Sequence, residues 1–520
     1  MRPVSGSIRR PVDLNLCGAA SDVSSSLWEA TVWRWRSWTA DGGPSFCRRT
    51  GQTSARDRSA DCNLSLGYER NVTRLKTLAV TAAYVATLLW AYVAIISPVF
   101  AYYGYNLYWP GVAALTWLVV LALSPIAFLP VTLSRPSGLI VWWLYVTVYI
   151  PSTLLPALSL TLTPDQLLPL EVALLLCMAL LCLASSGRRL ALRPVNITPR
   201  AFWPALFLFW FGCLLFVCAH FSASGLFVNL ASLFLGGTEY TIRNNFLDQL
   251  SQTGRVLGYA TGQIGEAVDP FFIAYGLVYR RKMFLVAGIT GQLMIFAVLG
   301  AKSILFSTLF LVIVFILMRR YSHNFGLALS SLLIAVVLFS AGVDYLSDGI
   351  FLSSITTRRT FMDPGLLTGF YYEHYSQTAH AGLAYHFPQG GEAVPAPSYE
   401  IGLVYFGDSH IDANANLWAE GFADFGITGI FGFTLLLATM IWFYDSVAAR
   451  HNLELAIILV AMQAFAFSNS APLTVLITHG GLASTLLLWC APSVESDQKI
   501  YSEDESLEES LMPESVPALP

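Results

Sequence analysis

A chain of 520 residues with 55% hydrophobic and only 12% charged side chains carries too little charge to clothe a soluble globule of its size. Its repeated apolar runs of about 18 to 24 residues can cross roughly 30 Å of hydrocarbon as helices, whereas barrel strands would alternate in polarity. The formal net charge of -4 hides a basic N-terminal segment and an acidic C-terminal tail that nearly cancel. The expected fold is therefore all-α, a polytopic bundle of about twelve transmembrane helices.

Residues 1–73 read differently from the rest, with ten arginines, no lysine, much Ser and Gly and no sustained hydrophobic period. Such a segment is expected to be disordered, and it lacks the central apolar run of a signal peptide. After Met1 the next methionine is Met178, which predicts that translation begins downstream at a non-ATG codon such as that of Val72. Peptides from before Val72 in mass spectra of the native protein would rule this out.

A membrane domain is expected over 74–492. Its apolar runs place spans at 77–101, 108–130, 138–158, 166–185, 201–220, 258–279, 283–300, 303–318, 325–343, 426–445, 453–471 and 473–491. Alternate short connections collect Arg74 and Lys76, Arg135, Arg188 to Arg200, Arg280 to Lys282, Arg319 and Arg320, and Arg450. The positive-inside rule makes that side, and both termini, cytoplasmic in a bacterial inner membrane. Arg243, Arg255, Lys302, Arg358 and Arg359 fall on the opposite side against this bias. Each has either a specific role or an interfacial partner there. The sixth span carries Thr261, Gln263, Glu266 and Asp269, which predicts that it lines a polar cavity. Residues 493–520 form an acidic, solvated cytoplasmic tail.

Of the eight cysteines, Cys177, Cys182, Cys213, Cys218 and Cys490 lie in apolar runs as small hydrophobes. Cys17, Cys47 and Cys62 lack zinc-ligand spacing. Asp408-Ser409-His410-Ile411-Asp412 offers ligands only as a polar turn does, so no metal and no other cofactor is expected. P-loop, dinucleotide and G-x-S-x-G signatures are absent. No nucleic acid partner is indicated.

The long polar break lies over 344–426, on the outer side. It holds Arg358, Arg359, four histidines and ten carboxylates, with aromatic clusters such as Phe370-Tyr371-Tyr372-Glu373-His374-Tyr375. Aromatic faces, carboxylates and an arginine fork together suit sugar and phosphate. The outer segment 221–257 carries Arg243 followed at eleven positions by Gly254, and Arg358 stands in the same relation to Gly369. In each, an outer helix followed by a sharp turn at the glycine is expected. Two cationic forks would serve an enzyme that joins two lipid diphosphates.

Twelve spans, outer segments after the fifth and ninth, and R-x10-G in both resemble the Wzy family of O-antigen or oligosaccharide repeat-unit polymerases. The Gly300-Ala301-Lys302-Ser303 turn and the run from Asn414 through Trp418 and Glu420 to Gly429 add to the likeness, which covers roughly 75–490. The resemblance implies a GT-C-like glycosyltransferase working at the periplasmic face, with a flippase and a chain-length regulator as companions. Its donor is a glycan on undecaprenyl diphosphate and its acceptor a second lipid-linked repeat unit, with no nucleotide sugar. Arg243 and Arg358 carry over as the cations for diphosphate and glycan, with Lys302 in support and Arg359 adjacent. His374, His380, Glu373, Asp408 and Glu420 stand as alternative bases. Tyr371, Tyr372 and Trp418 are expected to stack on sugar or sit at the interface, with Asn414 nearby. An O-antigen ligase and a flippase or transporter of the same lipids are the competing readings.

Overall fold

The computed structural model describes residues 55–193, 197–221, 255–300, 302–385 and 395–492, together with a few isolated positions between them. Contacts divide the chain into two units, Met1–Gly67 and Tyr68–Pro520. The first contributes, among the described residues, only the beginning of helix α1 (Ala55–Ala91). That helix starts inside the segment expected to lack structure. A helix once nucleated by its apolar half propagates through residues with no strong preference of their own. The acidic tail lies outside the described residues.

The second unit is helical, with no strand among the described residues. In chain order α1 continues to Tyr103 and is followed by α2 (Val112–Leu123), α3 (Pro136–Ser159), α4 (Pro164–Ser186) and α5 (Pro199–Ala219). Then come α6 (255–278), α7 (Lys282–Leu299), α8 (Lys302–Tyr321) and α9 (Phe325–Leu346). The polar break supplies α10 (351–362), α11 (Asp363–Tyr375) and α12 (Pro397–Phe406). The chain closes with α13 (Leu417–Ala448), α14 (Leu453–Ala466), α15 (Pro472–Ile477) and α16 (Gly481–Cys490).

Seven helical stretches are long and apolar enough to cross a membrane: Asn71–Tyr103, Pro136–Ser159, Pro164–Ser186, Pro199–Ala219, Lys282–Leu299, Phe306–Leu346 and Leu417–Ala448. The chain is thus a helical membrane protein. Val112–Ala127, Leu453–Ala466 and Gly481–Cys490 are apolar but shorter. Burial separates centre from rim. The apolar window of α3 is 100% buried and that of α5 only 22%, so α3 is the axis of the bundle and α5 presents a broad apolar face to its surroundings. Ser137 at the start of α3 fixes it to Asp445 near the end of α13, through its backbone N–H at 3.0 Å and its hydroxyl at 2.6 Å.

Two sequence expectations change. The final span, 473–491, is broken between α15 and α16, where Gly480 takes φ +70. The tenth was expected to begin at 426, yet α13 begins at Leu417, and residue 426 is a kink within it. Gly426 has φ 65 and ψ -149, a combination that costs a side-chain-bearing residue heavily and glycine little.

The segment 344–426 is also no open loop. Helix α11 packs against the C-terminal half of α3 and against α13, at a distance that only small residues permit. A Cβ on Gly365 would lie 2.4 Å from the carbonyl oxygen of Pro151, and one on Gly369 would lie 2.9 Å from Leu160 Cδ1. Gly369 is therefore needed mid-helix for close approach and makes no sharp turn. Thr368 and Ser152 hydroxyls meet at 2.8 Å across the contact.

Asn416 closes this joint. Its Oδ1 accepts from the N–H of Trp418 at 3.0 Å and of Ala419 at 3.3 Å, capping α13. Its Nδ2 donates to the Pro364 carbonyl at 3.0 Å and Thr368 Oγ1 at 2.7 Å. Asn416→Asp keeps the cap but turns a donor into an acceptor facing another acceptor. Thermal unfolding in detergent is expected to show Asn416→Asp destabilised by about 1–3 kcal/mol, and Asn416→Ala by at least the ~1 kcal/mol of a lost cap.

Candidate functional site

Helices α10 to α12 and the first turns of α13 gather two polar clusters, separated along α11 by its length of about 20 Å. The first surrounds Arg358, which sits in the π-helical stretch Ser354–Met362. Its guanidinium carbon lies 4.7 Å from the Phe100 ring centre and 5.4 Å from that of Tyr103. Its Nη1 reaches Asp363 Oδ1 at 3.5 Å, and Nε and Nη2 each reach Ser354 Oγ at 3.3 Å. The Tyr105 hydroxyl donates to the same Asp363 oxygen. With 12% of its side chain exposed, Arg358 is a cation held in a fixed plane by two rings and a carboxylate. Burial pushes the Asp363 carboxyl up from its usual range while Arg358 pulls against that shift. Arg359 next to it is exposed, with no ion pair or hydrogen bond among the described residues.

The second cluster lies at the far end of α11. His374 Nε2 meets Glu400 Oε1 at 2.9 Å, and the Tyr375 hydroxyl donates to Glu400 Oε2 at 2.9 Å. Glu373 accepts from the Tyr405 hydroxyl at 2.8 Å. Glu420, buried in the first turn of α13, accepts from the Tyr371 hydroxyl at 3.2 Å. One turn on, Asp424 takes the Leu383 N–H at 3.0 Å and the Tyr385 hydroxyl at 3.2 Å. His380 is exposed, lies over the Tyr375 ring, meets Phe422 edge to face, and borders the kink at Gly426. Four carboxylates from three helices thus face a group of phenols whose ionisation burial and those carboxylates oppose. Tyr371, Tyr375 and Tyr385 are all raised above their ordinary value. They remain neutral hydrogen-bond donors.

The other expectations fall out as follows. Arg243 and its Gly254 lie outside the described residues, as does the side chain of Lys302, whose backbone opens α8. Trp418 is 0% exposed and donates its indole N–H to Thr434 at 3.0 Å. Tyr371 is equally buried, and Tyr372 packs on Phe422 with its hydroxyl on the Gln166 carbonyl. These three rings occupy core positions and are not placed to stack on a sugar. Asn414 is exposed and bonds Asp412, while Asp408 pairs with His410 at 3.0 Å on the surface.

Sequence reasoning missed Asp363, Tyr105, Glu400, Asp424 and Tyr385. Only the density of carboxylates in 344–426 pointed toward three of them, and nothing local pointed to Tyr105. A cavity of 460 Å³ also opens between α2, the end of α3 and the start of α4, lined by Tyr108, Trp109, Trp117, Leu168, Asp165 and Glu171 among others. Its aromatic wall and two carboxylates combine an apolar face with hydrogen-bond acceptors.

Compared with family models, curated proteins and solved structures, the chain matches none.

Proposed function

We propose that this protein polymerises lipid-linked oligosaccharide repeat units by glycosyl transfer at the outer face of a bacterial inner membrane, through a twelve-span topology with both termini cytoplasmic. The observation that carries the reading is Arg358, fixed between Phe100, Tyr103 and Asp363 in a helical insert that also holds a cluster of carboxylates, histidines and phenols. A rigid guanidinium stabilises a departing diphosphate without reorganising as charge develops. Arg359, exposed beside it, supplies a second cation at the same end.

His374, oriented by Glu400 at 2.9 Å, stands about 20 Å along α11 from Arg358, too far to take a proton at the carbon whose leaving group Arg358 serves, so it binds hydroxyls further along the glycan. The carboxylates and phenols around it hold sugar hydroxyls. The donor is a glycan on undecaprenyl diphosphate, the acceptor is a second lipid-linked unit, and no cofactor is required.

Glycans from the native organism with this gene deleted test the reading. Single repeat units at the surface with long chains missing is the expected gel pattern. Unattached polymer would instead indicate a ligase, and lipid-linked units retained on the cytoplasmic leaflet a transporter. His374→Ala is expected to raise the KM for lipid-linked repeat units by up to about 10-fold, the loss of one hydrogen bond of ~1 kcal/mol, with kcat little changed and Glu400→Gln in between, measured with purified protein.

A further inference from the structure

The breaks on either side of α15 bring Ser470 and His479, nine positions apart, into one line with Glu266, 213 positions from His479. Ser470 Oγ lies 3.2 Å from His479 Nε2. On the other side of the ring His479 Nδ1 lies 2.9 Å from both Glu266 oxygens. A carboxylate that accepts from Nδ1–H fixes the tautomer and leaves Nε2 as a lone-pair acceptor pointing at the serine hydroxyl. This is the order nucleophile, base, orienting carboxylate that defines an activated serine, which is recognised by geometry and not by chain position.

The line is built with care. Glu266 stands on the π-helical turn Ile264–Val268 of α6, a distortion that often re-aims a side chain at a functional site. Gln463 Nε2, with two hydrogens to share, lies 3.0 Å from the Glu266 carbonyl, 3.1 Å from the His479 carbonyl and 3.2 Å from Ser484 Oγ, tying all sides of the break together. Gln263 donates to the Ile477 carbonyl at 2.6 Å. The left-handed Gly480 packs so closely on α6 that a Cβ would lie 2.9 Å from Ala267 Cβ. The buried Gln463 Oε1 has no hydrogen-bond partner among the described residues. His479 and Glu266 side chains are 27% and 18% exposed, so the base is reachable.

Depth and surroundings define the substrate. Helix α14 has 14 residues and α16 has 10, about 21 Å and 15 Å of rise. Neither crosses ~30 Å of hydrocarbon, so the break between them falls within membrane thickness. Irregular backbone is tolerated there only where protein or a polar cavity satisfies it. The flanking Ile477, Leu482 and Leu486 are exposed and make the approach apolar.

We propose that Ser470, His479 and Glu266 form a second catalytic site, an acyl-transfer centre acting on esters carried by membrane lipids. Ser470 Oγ attacks the ester carbonyl carbon and its proton passes to His479 Nε2. The ester C–O bond breaks, and the departing alcohol takes that proton, leaving an acyl-serine. Water or a sugar hydroxyl then attacks the acyl carbon, gives its proton to Nε2, and Ser470 departs with the proton returned to it. Glu266 holds the imidazole and balances its transient charge.

The test uses the full chain in lipid nanodiscs, a long-chain alkyl fluorophosphonate, and peptide mapping by mass spectrometry. A single adduct on Ser470 is expected, absent in Ser470→Ala and formed roughly 10²-fold or more slowly in His479→Asn. Glu266→Gln is expected to be slowed less. In Ser470→Cys, alkylation of the new thiol at pH 7 is expected to fall when His479→Asn is added. An unlabelled wild-type chain, or labelling at Ser470 that does not respond to His479→Asn, would overturn the proposal. Polymer formation does not enter these readouts.

Discussion

Arg358→Ala is expected to abolish long-chain glycan while the protein stays folded in the membrane at wild-type levels. Loss of one preorganised group that stabilises developing charge costs a rate factor of roughly 10²–10³, enough to leave only short chains on a gel. Arg358→Lys should not restore them. A lysine ammonium is a compact point charge. It cannot lie as a plane against Phe100 and Tyr103 while also reaching Asp363 and Ser354. Asp363→Asn separates holding from binding. It keeps the cation but removes its carboxylate partner, so turnover should fall less than in Arg358→Ala. Arg359→Ala, at an exposed position, should weaken substrate binding without eliminating product. Wild-type polymer in Arg358→Lys would remove this cation from the mechanism.

Gly365→Val should fail differently. The contact that would be violated is the Pro151 backbone, at 2.4 Å from a built Cβ, and no rotamer change relieves a clash with backbone. Helix α11 must then withdraw from α3, taking with it the Thr368–Ser152 and Asn416–Pro364 bonds. The expected cost is the ~1–3 kcal/mol of overpacking plus about 1 kcal/mol for each hydrogen bond lost. Thermal unfolding in detergent should show it, and polymer should vanish as well. A protein as stable as wild type would mean that α11 is not held in place by this joint. Together the two variants separate lost chemistry from lost architecture, since both polar clusters hang on the two ends of this one helix.

Hydropathy and charge made the membrane class and the helical fold legible, because apolar period and composition are local properties of a chain. They also drew attention to Arg358, His374 and Glu420, which lie in the two polar clusters. The same signals fail where a residue's meaning depends on a distant partner. Tyr105 and Asp363 are 258 positions apart, and Glu266 and His479 are 213 apart. No spacing rule connects either pair.

Aromatic residues misled for a related reason. Tyr371 and Trp418 sit in polar-looking text, but whether a ring faces solvent or the core is decided by the helices that pack around it. Gly369 looked like a turn from its place in a repeated pattern, while the approach of α11 to α3 makes it a packing residue. Apolar runs in sequence located helices well but not the interruption at Thr478–Gly480, since a run of hydrophobic side chains reads alike whether its backbone is continuous or broken. Composition alone decided what solvent this chain lives in. Which of its polar groups meet was decided by tertiary packing, because burial brings together groups that the chain itself keeps hundreds of residues apart.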